Sequence, residues 1–172
     1  MKLSTKRIRI IFLVVFLLVS IGALLSGIYW IWLTAFGVGW GGGEVGLIEL
    51  LWTWKGIIAL FFFATTAFIG LIKPWKVGVI FGYSIPIAMS IYVGISMINS
   101  TTYDLKNNKT VDFSDIIGLL IGIIFIIGIL TFSITGLNKI KTDYFKFKAI
   151  DYGITVGLVV TLLLSWLFVF KI

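Results

Sequence analysis

The chain has 172 residues, 60% of them hydrophobic and only 12% charged, and its mean hydropathy of +1.15 lies beyond the range of water-soluble domains. A soluble fold of this size would lack the polar surface to cover itself, so an integral membrane protein is expected. The net charge of +7 does not point to nucleic acid, because the basic residues cluster between apolar runs, and the complete lack of cysteine and histidine excludes disulfides, thiolate nucleophiles and the usual zinc and haem ligands.

Five apolar runs, near 8–32, 53–72, 77–98, 116–137 and 152–170, each reach the roughly 20 residues that a helix needs to cross a hydrocarbon layer about 30 Å thick. The expected fold is all-α: a single polytopic bundle of five transmembrane helices occupying residues 1–172. The first run follows Lys2, Lys6, Arg7 and Arg9 and has no small-residue cleavage site, so it reads as an uncleaved signal anchor. It ends among Tyr29, Trp30 and Trp32, and the second begins among Trp52 and Trp54, which puts both aromatic groups at one headgroup level.

Between them, residues 33–52 read as an external glycine-rich hairpin. The density of glycine from Gly37 to Gly43 predicts a break in the helix there, with helix resuming after Glu44. Trp30, Trp40, Glu44, Glu49, Trp52 and Trp54 are the candidate contact residues for a partner or ligand on this side, set against the plainer reading of an aromatic belt.

The second connection, Lys73 to Lys76, is short and contains Pro74, so the second and third spans are antiparallel neighbours. Pro86 should kink the third span and free a backbone carbonyl, with Ser84 and Ser90 close enough to satisfy groups of that kind. The polar stretch 99–115 forms the longest external loop. The loop 138–151 mixes lysines with Tyr144, Phe145 and Phe147 and reads as interfacial.

Lys2, Lys6, Arg7, Arg9, Lys73, Lys76, Lys139, Lys141, Lys146 and Lys148 all fall on alternate connections, against Lys55, Lys106, Lys109 and Lys171 on the others. The positive-inside bias then places the N-terminus inside and the C-terminus outside.

Small residues recur at helix-contact spacing. Gly78 and Gly82, Gly118 and Gly122, and Gly153 and Gly157 form GxxxG pairs, the last continuing through Thr161 and Ser165. Such stripes let helix backbones approach closely, inside the chain or against another subunit. No Asp, Glu, Lys or Arg falls at the middle of a span, which disfavours ion-coupled transport. Thr65, Thr66, Ser90 and Tyr92 are the polar side chains nearest the midplane.

Asp104, Asp112 and Asp115 lack any base or nucleophile at fixed spacing, so no enzyme is expected. No cofactor is expected either. The reading is a non-enzymatic accessory or structural subunit of an inner or plasma membrane, docking on a larger membrane complex through small-residue faces. Its partners are membrane lipids and other membrane subunits or itself, with no nucleic acid. The alternatives are a binding or transport module for a neutral or lipid-like molecule, and a membrane immunity or tolerance protein.

Overall fold

The computed structural model describes residues 4–41, 46–73, 75–106 and 113–167. Among them helix is the regular structure: α1 (Thr5–Trp40), α2 (Leu47–Thr53), α3 (Lys55–Ile72), α4 (Lys76–Lys106), α5 (Phe113–Tyr144) and α6 (Ala149–Leu167). Five of these, all but the short α2, are long and apolar enough to cross a membrane. In lipid every backbone N–H and C=O must be satisfied within its own segment, and five apolar runs without strand signals leave only this solution.

The first helix is longer than expected. Ser4 caps it by accepting from the Arg7 N–H, and it runs 36 residues to Trp40, about 54 Å at the standard rise. Gly37 and Gly39, where a break was expected, are helical, and the chain turns only at Gly41. Trp32 stacks on Phe36, and Phe36 meets Trp40 edge-on, both at four-residue spacing with centroids 5.2 Å apart; these pairs recover part of the glycine cost of about 1 kcal/mol per residue. The hairpin expected over residues 33–52 is therefore a long helix followed by the short α2, which joins α3 at Trp54. Glu44 lies outside the described residues.

Packing follows small residues. α3 lies between α1 and α4, α4 also carries α5 and α6, and α5 returns to touch α1; α6 sits in the groove of α3 and α4. Ala64 and Ala67 of α3 and Ala88 of α4 are fully buried beside Leu71, Val79 and Leu162. At the end of α3 the tightest crossing brings Gly70 against Gly78, where a Cβ on either would lie 2.4 Å from the other's backbone.

α4 stays helical through Pro86, which is buried. Ser84 donates to the carbonyl of Ile80 at 3.0 Å, not to the Gly82 carbonyl that proline leaves without its helical donor. α5 is held at one end. Ser133, Gly136, Leu137 and Ile140 are buried, whereas Ile121, Ile124 and Phe125 are 62%, 69% and 68% exposed.

Candidate functional site

The basic end is a connected structure. Asp151 lies in the first turn of α6, where its carboxylate accepts from the Lys148 N–H at 2.5 Å and pairs with Lys76 at the start of α4. A carboxylate three residues into a helix, reaching back to a free N–H, is half of a capping box and complements the helix dipole. Around it the ring of Phe147 meets Tyr83 and Tyr152 edge-on, with the Lys76 and Lys141 ammonium groups each 5.4 Å from its centre. Tyr83 donates to the Asn138 side-chain carbonyl at 2.7 Å, and Lys141 donates to the Tyr152 hydroxyl at 2.9 Å.

The N-terminal turn of α1 joins the same end. Thr5 bonds Asp143, and the Arg9 guanidinium lies over the Tyr144 ring with a buried Nε that makes no hydrogen bond. Three basic clusters that are far apart in the chain thus meet at one end of the bundle. Asp151 was not among the residues expected to matter. Its signal was local: an acid three positions after Lys148, at the entry of an apolar run.

At the other end, Trp30 and Trp54 stack at 5.3 Å. Trp54 donates from Nε1 to the Thr34 hydroxyl, which itself donates to the Trp30 carbonyl. Trp40 (80% exposed), Trp52 and Glu49 stay outside this cluster, with Lys55 over the Trp52 ring at 3.9 Å. Below it lies an apolar pocket of about 300 Å³ where Trp54 and Tyr92 meet Trp166, whose Nε1 donates to the Gly56 carbonyl at 3.0 Å. Trp166 is a site residue that sequence reasoning missed.

The glycine pairs divide. Gly78 is spent on Gly70, and Gly82 packs against Phe16 and Leu137. Gly122 faces Met97 of α4, whereas Gly118 has open space around it. Gly153 and Gly157 are exposed, with nothing where a side chain would stand. Four residues advance a helix about 40° beyond a full turn, so the ladder is no straight line. Thr161 is still exposed, bonding the Gly157 carbonyl, and Ser165 turns toward the bundle and is half-buried.

Of the hydroxyls expected near a midplane, Thr65 shares a hydrogen bond with Ser20 at 2.6 Å and Thr66 donates to the Phe62 carbonyl. Ser90 makes no such bond and lines a second cleft, of about 520 Å³, between α1, α4 and α5. Pro86 lies in its wall, and stacked Phe12 and Phe132 (5.6 Å) border it from α1 and α5. The cleft exists because α5 is packed only toward its C-terminal end. Asp112 and the side chains of Asp104 and Asp115 lie outside the described residues. No protein family matches this chain, and neither a curated protein nor a solved structure is similar to it.

Proposed function

We propose that this chain is a non-enzymatic accessory subunit of an inner or plasma membrane that docks on a larger membrane assembly through the outer face of α6. The observation that carries this reading is the contrast among the glycines. Gly56, Gly70, Gly78, Gly82 and Gly136 each lie against a neighbour within the chain; Gly22, Gly94, Gly118 and Gly128 are open singly on other helices, whereas Gly153 and Gly157 are both open one turn apart on α6. Apolar exposure alone says nothing in lipid, which covers leucine as well as a protein does. A small-residue face with no neighbour is different, because glycine costs helix stability and here gains no internal contact.

Replacing Gly153 and Gly157 by leucine is expected to strip co-purifying membrane subunits from the protein in mild detergent while insertion and thermal stability stay at wild-type values. Co-purification unchanged by the double replacement argues against this face.

In this reading the basic end faces the cytoplasm, following the positive-inside bias. The absence of native cysteine makes a direct test clean. A single cysteine at Lys146 is expected to react with an impermeant maleimide only in inverted vesicles, and one at Gly41 only in intact cells. The opposite pattern reverses the topology.

A second reading, the binding of a neutral apolar molecule, is supported by the 520 Å³ cleft.

A further inference from the structure

The cleft between α1, α4 and α5 carries more than volume. Five polar or charged residues are buried among the described ones, and four have partners: Ser20 with Thr65, Ser84 with the Ile80 carbonyl, Thr155 with the Asp151 carbonyl, and Asp151 with Lys76 and Lys148. The fifth, Ser133, is 7% exposed, makes no hydrogen bond and lines this cleft. Its hydroxyl is not sealed inside the protein, since Arg9 Nε alone is a fully enclosed side-chain polar atom without a partner among the described residues, so it opens on the cleft. A hydroxyl left unpaired against apolar surroundings is unfavourable, and serines in membrane helices ordinarily bond the preceding turn. Ser90, from α4, lines the same cleft and is likewise unbonded. Tyr83 faces Asn138 and Met97 faces Gly122, so Ser90 is level with about residue 130, within roughly one helical turn of Ser133.

The rest of the lining selects the ligand. Phe12, Phe16, Phe125 and Phe132 contribute four rings, and among the described residues no charged side chain lines the cleft. A charged group placed there would be desolvated without compensation, whereas a flat ring can stack.

Depth narrows the choice further. Ser133 lies eight residues along α5 from Lys141, about 12 Å below the basic end. Phospholipid ester groups stay at the interface, so the polar group that reaches Ser133 belongs to a head able to leave it. A ring ketone qualifies, since it has acceptors and no donor to desolvate. The volume also lies within the roughly 300–1,000 Å³ of sites for drug-sized ligands.

We infer that this cleft binds a neutral, quinone-like lipid, with ring carbonyls accepting hydrogen bonds from Ser133 and Ser90 and the ring stacked among the phenylalanines. This rests on the second reading above, the binding of a neutral molecule, and names its chemistry. It does not depend on the α6 docking face.

The test uses the full chain in phosphatidylcholine nanodiscs with two probes, decylubiquinone and decylbenzene, which has a ring and tail but no carbonyl. Binding is measured by equilibrium dialysis and corrected for partition into empty discs. Wild-type protein is expected to bind decylubiquinone saturably and decylbenzene at least tenfold more weakly. Removing both hydroxyls, as S90A with S133A, should weaken decylubiquinone binding roughly tenfold, as expected for lost hydrogen bonds. These are small, conservative changes, and circular dichroism and thermal unfolding confirm the fold. Ile129→Trp, which fills the cleft, should abolish binding. Equal affinity for the two probes, or unchanged binding in the double variant, overturns the quinone assignment and leaves the neutral-ligand reading standing. No saturable binding of either probe removes both.

Discussion

Gly78→Ala is expected to lower the stability of the folded bundle by about 2–3 kcal/mol, and Gly70→Ala by a similar amount, at the upper part of the range for overpacked contacts. A Cβ on Gly70 would lie 2.4 Å from the Cα and 2.5 Å from the N of Gly78. One on Gly78 would lie 2.4 Å from the carbonyl carbon of Gly70 and 2.7 Å from the N of Leu71. These are backbone atoms on both sides, so no rotamer change relieves the overlap and the helices must separate. Separation propagates, because Leu71 and Val79 beside the crossing are fully buried. Leucine at either position should abolish α3–α4 packing altogether.

The measurement is reversible unfolding in bicelles, with Gly153→Ala and Gly157→Ala as controls. Those two sites are open, and the same substitution there should change stability by no more than about 0.5 kcal/mol. A Gly78→Ala protein as stable as the wild type would show that the close approach of α3 and α4 is wrong.

The second large effect is expected at Asp151. Asp151→Ala removes the acceptor of the Lys148 N–H and the counter-ion of Lys76 together, at a position where α4 and α6 begin side by side. The Asp151 side chain is 8% exposed and that of Lys76 is 31% exposed. Lysine can therefore reach headgroups and water when its partner is gone, so the loss falls below that of a fully buried pair, at about 2 kcal/mol. Asp151→Asn keeps an acceptor for the backbone N–H and should recover about half of this.

A double-mutant cycle with Lys76→Ala separates the two roles. The double replacement should be less destabilised than the sum of the singles by about 1 kcal/mol. Strict additivity would mean that Asp151 acts as a helix cap alone.

Much of the fold was legible in the residues. The five long helices follow from apolar length, and the meeting of three basic clusters at one end follows from their placement on alternate connections. The aromatic belt was legible in part: Trp30 and Trp54 stack on each other as the two counts from either side implied, whereas Trp40, Glu49 and Trp52 are exposed and, among the described residues, no ring pair joins Trp40 or Trp52 to them. The expected break at Gly37 and Gly39 did not occur, since propensity is a weak preference and the Trp32–Phe36 and Phe36–Trp40 contacts recover part of its cost.

Gly78 was visible as a contact residue, but Gly70 was not, because a GxxxG pair describes one helix and a crossing belongs to two. Pro86 predicts a kink from the sequence, but that it lines a cleft follows only from how α1 and α5 pack beside α4. Ser133 gave no signal at all. Its hydroxyl is unusual only because α5 closes on the bundle toward one end and leaves a cleft over its middle.

The residues by themselves determined lipid as the solvent, helix as the only backbone solution, and which connections lie together. Each depends on composition within a single segment, where hydrocarbon forbids unsatisfied backbone groups. The tertiary structure alone decided which glycines are contacts, which hydroxyls lack partners and where α6 presents an open face. Those depend on the rotation and crossing of whole helices. Lipid wets every apolar face equally, so no apolar pattern along one helix specifies which side will meet a neighbour.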